Sequence, residues 1–160
     1  MIASLAFTLS ARAESRTHDG FYAAANVGLG TWIESGDDED RFLTVPMSLW
    51  SGYSYKSMAF GAGINSNFFF WSAALFADIY PDPKSGFHVM PSLGWGVLFP
   101  TRNLQNGPVF GGGVGYDFWV ASELSMGIMA RLTYSPIIDH ERDTFYPSYE
   151  PALLYTVTYH

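Results

Sequence analysis

Leu124-Ser125-Met126-Gly127-Ile128-Met129-Ala130-Arg131-Leu132-Thr133-Tyr134 alternates in steps of two. Its even positions (Leu124, Met126, Ile128, Ala130, Leu132, Tyr134) are apolar, and its odd positions (Ser125, Gly127, Met129, Arg131, Thr133) are mostly small or polar. A helix would scatter both sets around its circumference, whereas a strand sends each set to one face. Phe87 to Phe99 repeats the pattern: Phe87, Val89, Pro91, Leu93, Trp95, Val97 and Phe99 oppose a set that includes His88, Ser92, Gly94 and Gly96.

Outward from these two, the same period predicts strands over Phe21 to Trp32, Leu43 to Tyr55, Met58 to Asn65, Pro108 to Val120 and a last run from Leu153 to Tyr159. Phe68 to Tyr80 is the weak member, because Phe68, Phe69, Phe70 and Trp71 are apolar on both faces. The uncharged stretch from Ser57 to Ala77 meets the ~20-residue criterion for a membrane helix. At its centre, however, stand Asn65-Ser66-Asn67, which are costly in hydrocarbon and typical of turns. A hairpin tipped at Asn65 to Asn67 fits better. The result is eight strands, each near the ~9–11 residues of a tilted spanning strand.

The connections alternate in length. Lys56-Ser57, Pro81 to Gly86 and Ala121 to Glu123 are short, while Ile33 to Phe42, Pro100 to Gly107 and Ser135 to Ser148 are longer and more polar. This is the pattern of turns on one side of a membrane and loops on the other, with the Asn65–Asn67 tip as the exception. The apolar face moves from odd to even numbers across Lys56-Ser57, as a two-residue hairpin loop requires.

Composition agrees. Charged residues are 14% of the 160 and hydrophobic residues 48%, so apolar surface must face lipid or a partner. A net charge of −7 argues against nucleic acid, and the absence of cysteine excludes disulfide and thiolate chemistry. Leu5 to Leu9 is a short apolar run followed by Ala11-Arg12-Ala13, an A-x-A-like cleavage site. The expected organisation is therefore a truncated signal peptide over 1–13, a periplasmic segment over 14–19 and a barrel over 20–160.

Spanning strands cannot leave unpaired edges in hydrocarbon, so an even antiparallel set must close on itself. If the large apolar set pointed inward, the result would be a soluble lipocalin-like barrel with a greasy pocket. The opposite face, rich in Gly, Ser, Thr and Ala and poor in charge, suits a crowded interior better than a hydrated surface. Tyr53, Tyr55, Phe87, Phe118, Tyr155 and Tyr159 fall near the turn-side ends of their strands, where an interfacial girdle belongs. The expected fold is all-β, an eight-stranded antiparallel up-and-down transmembrane β-barrel.

Three segments carry a resemblance. Gly20-Phe21-Tyr22 opening the first strand is similar to the small outer-membrane barrels that include OmpX and the OmpA transmembrane domain. So is Gly113-Val114-Gly115-Tyr116-Asp117-Phe118-Trp119 leading into Leu124. Leu153 to Tyr159 resembles the C-terminal signal read by the outer-membrane assembly machinery, although His160 follows where that pattern ends on an aromatic. The resemblance implies the bacterial outer membrane as location, with lipid and lipopolysaccharide as surroundings, and it transfers no catalytic residue.

An eight-stranded barrel is filled by its own side chains. The predicted lumen holds Asn26, Ser48, Asn65, Ser72, His88, Ser92, Asp117, Ser125, Arg131 and Glu150. Arg131 would lie diagonally near Glu150 as a structural ion pair, and His88 would be a hydrogen-bonded lumen residue rather than a catalytic base. No catalytic, cofactor or metal residue is identified. The lipid A deacylase of outer membranes uses a His-x-Ser pair, whereas His88 is followed by Val89-Met90 and His140 by Glu141-Arg142.

Two acidic stretches, Asp37-Asp38-Glu39-Asp40 and Asp139 to Asp143, fall in loops expected to be extracellular. They read as solvated loops, or as sites bridging divalent cations to lipopolysaccharide phosphates. The expected role is structural or surface-interacting, with any extracellular ligand bound at the loops. The alternatives are a lipid-modifying enzyme, a narrow pore or a soluble ligand-binding barrel.

Overall fold

The structure, a computed structural model, describes residues 19–35, 40–82, 85–99, 105–139 and 144–160, with side chains outside 137–146. The expectations for 1–13 and 14–18 lie outside the described residues. Nine strands follow in chain order: β1 (Gly20–Glu34), β2 (Asp40–Thr44), β3 (Met47–Tyr55), β4 (Met58–Ser66), β5 (Phe70–Ile79), β6 (Phe87–Leu98), β7 (Gln105–Trp119), β8 (Leu124–Asp139) and β9 (Thr144–Tyr159). Each pairs antiparallel with its neighbours, and β9 returns to β1, so the sheet closes.

Strands β2 and β3 are halves of one barrel strand, because both pair with β1 in a single register. The interruption is Val45-Pro46. Gly28 N donates to Pro46 O at 3.1 Å, and proline has no N–H with which to return the bond. The barrel is therefore eight-stranded.

Its geometry follows from one hydrogen-bonded row. The row runs from Ala23 through Ser51, Ala62, Leu75, Leu93, Phe110, Tyr134 and Tyr149 and returns to β1 at Ile33, ten residues beyond its start. With about 3.3 Å per residue and about 4.8 Å between strands, that shear tilts the strands by about 41°. The row climbs about 25 Å along the barrel axis in one circuit, close to the height of an outer-membrane apolar band.

The two faces separate as the alternation requires. Leu29, Leu75, Leu93 and Leu153 point outward and are more than half exposed, whereas Asp117 and Ser125 point inward and are almost fully buried. This outward apolar belt excludes the soluble lipocalin-like arrangement, in which those leucines would line a pocket. At the turn end, Phe21, Tyr53, Phe60, Phe87, Phe118 and Tyr159 are exposed on the outer wall. Tyr155, expected in that girdle, instead pairs with Val27 and Ile128 and lies within the belt.

Element ends differ from the sequence reading where pairing outlasts alternation. β1 reaches Glu34, β7 starts at Gln105, and β8 and β9 run to Asp139 and from Thr144, all inside segments expected to be loops. Backbone bonding needs only a partner strand, so it continues after the in–out pattern fades. The stretch from Ser57 to Ala77 is mostly the β4–β5 hairpin, and β5 begins at Phe70 rather than Phe68. Phe68 has φ 71° and, with Phe69, forms the exposed turn, while Asn67 Oδ1 accepts from Phe70 N at 2.9 Å. At Tyr55–Met58 the two-residue loop is present. Lys56 adopts φ 57° in that loop, and its N–H donates to Asp19 Oδ1 at 3.0 Å.

Candidate functional site

The inward side chains stack in four layers. At the loop end Trp32, Phe70 and Val109 form an apolar cap, with Trp32 and Phe70 centroids 5.2 Å apart.

Beneath the cap lies a polar chamber built around Arg131. The tight inner radius leaves each charge to be met by residues from other strands. Arg131 Nη1 donates to Asn65 Oδ1 at 3.0 Å and to Ser48 Oγ at 3.4 Å, and Nη2 stands 3.8 Å from Glu150 Oε2. Glu150 Oε1 accepts from Asn67 Nδ2 at 2.6 Å and from Thr44 Oγ1 at 2.9 Å. With its amide oxygen toward the indole, Asn26 accepts from Trp50 Nε1 at 3.2 Å and from Ser48 Oγ at 2.9 Å. Asn65 Nδ2 donates to Ser72 Oγ at 3.2 Å.

The third layer is an apolar septum of Trp50, Phe76, Met90, Met129 and Leu154. Trp50 meets Phe76 edge-on at 5.1 Å between centroids. This layer separates the Arg131 chamber from a second polar chamber at the turn end.

In that second chamber His88 Nδ1 is 2.7 Å from Asp78 Oδ1, and Nε2 is 3.9 Å from Asp117 Oδ1. Tyr22 OH donates to Asp78 Oδ2 at 2.9 Å. Tyr80 OH, with one proton to give, reaches Asp78 Oδ2 at 2.9 Å and Asp117 Oδ2 at 3.1 Å. Thr156 Oγ1 donates to Asp117 Oδ1 at 3.2 Å. His160 closes this end, its ring against Tyr22, Tyr80 and Trp119 and its N–H on Glu123 O at 2.9 Å. The two carboxylates face opposite nitrogens of one imidazole, and the point at which both could meet is occupied by the Tyr80 hydroxyl. Among the described residues no group of three His, Cys, Asp or Glu side chains is placed to hold a metal.

The site residues named from sequence thus divide in two. Asn26, Arg131 and Glu150 belong to the chamber at the loop end, His88 and Asp117 to the chamber at the turn end, and the septum lies between. Of the acidic loop, Asp40 opens β2 and is exposed, while Asp37, Asp38 and Glu39 lie outside the described residues, as does His140. Sequence reasoning missed Asp78, Tyr22 and Tyr80. The signal for Asp78 was its even number, shared with Ser72, which the sequence already places in the lumen.

These features define a small membrane-spanning, up-and-down β-barrel with a filled lumen. The fold is similar to that of Neisserial surface protein A, with a TM-score of 0.62 and 14% identity over 88% of this chain and 96% of that one. More distant likenesses are Ail, the attachment invasion locus protein of Yersinia pestis (TM-score 0.44, 13% identity, 87% and 99% covered), and OprG from Pseudomonas aeruginosa (TM-score 0.43, 11% identity, 91% and 98% covered). No protein-family model and no curated protein matches the sequence.

Proposed function

We propose that this is a bacterial outer-membrane barrel with a structural, surface-facing and non-catalytic role. Its wall anchors the extracellular connections, and its lumen is a plug rather than a channel. The observation that carries this reading is the alternation of layers inside an apolar outer wall: two polar chambers are held apart by the septum of Trp50, Phe76, Met90, Met129 and Leu154. Asn26, His88, Asp117, Arg131 and Glu150 act in it as structural residues, because each is buried and holds at least one polar or charged neighbour from another strand. The short turns and both ends of the described barrel lie on the periplasmic side, and β8–β9 and the acidic stretch at Asp40 face the exterior.

Cell fractionation with electrophoresis of boiled and unboiled samples, followed by planar-bilayer recording, tests this. An outer-membrane protein with a heat-dependent shift and no discrete conductance is the expected result. A soluble periplasmic protein, or steady channel openings, would overturn it.

A further inference from the structure

We propose that the inner rim at the loop end holds one hard divalent cation, between the carboxylates of Glu34 and Asp40 and the hydroxyl of Ser148. The ion ties the β1–β2 arm to the last strand. The inference adds a binding site to the structural reading above.

The three residues form one row across neighbouring strands. Asp40 lies opposite Glu34, and Glu34 lies opposite Ser148. All three share the inward parity of their strands, with Thr44 on β2, Trp32 on β1 and Glu150 on β9. Directly opposed residues on one face carry Cβ atoms about 4.5–5.5 Å apart, and the inner wall of a barrel is concave, so their side chains converge. Arg41, the next residue along β2, has the outward parity of Ile33 and Leu43 and does not stand in the row.

Two observations point to an ion rather than to an acidic rim alone. The first is Ser148. It is 1% exposed, yet among the described residues its Oγ has no hydrogen-bonding partner. A buried hydroxyl left so is costly, and this one stands directly opposite Glu34. Ser135, on its other side, is satisfied instead by Pro108 O at 3.3 Å. The second is the repulsion of two like charges placed directly opposite one another, Glu34 and Asp40, at the end of a strand pair. Glu34 is only half-buried, and its Oε1 accepts from Trp32 Nε1 at 3.1 Å, which orients the carboxylate and leaves Oε2 for an ion.

The place of the row gives the ion a role. Among the described residues β2 pairs with β1 alone, and Val45-Pro46 separates it from β3. The β1–β9 ladder pairs Gly30 with Ala152 and resumes only at Ile33 with Tyr149, and Pro151, which has no N–H, falls in the gap. An ion shared by β2, β1 and β9 fastens the arm beyond both interruptions. Carboxylate and hydroxyl oxygens, with an exposed side at Asp40 for water, suit calcium, which accepts irregular shells of oxygen ligands, better than magnesium or a soft metal.

The test uses the full chain folded into phosphatidylcholine vesicles and titrated with calcium chloride, with empty vesicles as the blank. Calorimetry should show one calcium per chain with a dissociation constant of about 0.1–1 mM, and binding should persist in excess sodium chloride. Hydrogen exchange of the Asp40–Thr44 amides should slow as calcium binds. Glu34→Gln and Asp40→Asn should each weaken binding about tenfold. Ser148→Ala leaves the charge of the rim unchanged and removes a hydroxyl that has no bond to lose, so it should keep the heat-dependent gel shift and weaken binding about fivefold. Undiminished binding by folded Ser148→Ala or Glu34→Gln would overturn the site. Loss of binding in sodium chloride would also overturn it, because a diffuse counter-ion cloud is displaced by salt and a ligated ion is not. Because the vesicles are defined, either result leaves the outer-membrane reading to be decided separately by fractionation.

Discussion

Arg131 and Glu150 face one another diagonally across the β8–β9 pair, Nη2 to Oε2 3.8 Å, and both are buried. Arg131 stands opposite Ala152 and Glu150 opposite Thr133, so neither charge has a cross-strand partner directly beside it. Their removal should be unequal to the sum of its parts. Arg131→Met alone leaves Glu150 buried with only Thr44 and Asn67, and Glu150→Gln alone leaves a buried guanidinium. Each should cost about 3–5 kcal/mol in urea unfolding from vesicles, and the double variant clearly less than the two together. Additive losses would show that the pair does not act as a unit.

The two tyrosines at the turn end should also separate. Tyr22→Phe removes one hydroxyl from Asp78 and should cost about 1.5–3 kcal/mol, the range for a hydrogen bond to a charged group. Tyr80→Phe strips a donor shared by Asp78 and Asp117, and should be the more destabilising of the two in the same unfolding experiment.

Gly115 faces inward beneath His88, and a Cβ there would collide with His88 Nε2. Gly115→Ala should displace the imidazole from between Asp78 and Asp117, cost about 1–3 kcal/mol as overpacking, and shift the His88 ring resonances. Gly112→Ala, pointing into open space on the other face, should stay within about 0.5 kcal/mol of the parent and leave those resonances in place.

The septum makes an electrical prediction. Trp50→Ala combined with Phe76→Ala removes the edge-on pair that fills the lumen between the chambers. Each truncation should cost about 3–5 kcal/mol, and the folded double variant should show conductance in a planar bilayer where the parent shows none.

Lys56 holds φ 57° at the first central position of the β3–β4 turn, a conformation that disfavours side chains with a Cβ. Lys56→Gly should raise stability by about 1 kcal/mol, since the Asp19 bond is to its backbone N–H and survives the change. A loss of stability would show that the lysine side chain over Tyr55 outweighs the backbone strain.

Much of the architecture was legible along the chain. Leu124 to Tyr134 and Phe87 to Phe99 carry the period of two so clearly that strand, face and membrane exposure follow together. Where both faces are apolar, as from Phe68 to Trp71, the period is lost, and with it the start of β5. Arg131 and Glu150 could be paired in advance because they sit on one hairpin, where register passes through a turn and is nearly local. Asp78, His88 and Asp117 come from three different strands, and nothing in their spacing joins them.

The division has a physical origin. A side chain's face depends on its own strand's pleat, which repeats every two residues and is written in the sequence. That sufficed for eight strands, an apolar exterior and a lumen holding Asn26, His88, Asp117, Arg131 and Glu150. Which inward residues meet across the lumen depends on the shear, and the shear exists only once β9 has closed on β1 and returned the row from Ala23 to Ile33. Closure therefore decided that the lumen polar groups form two chambers rather than one network, and that Trp50 and Phe76 lie between them.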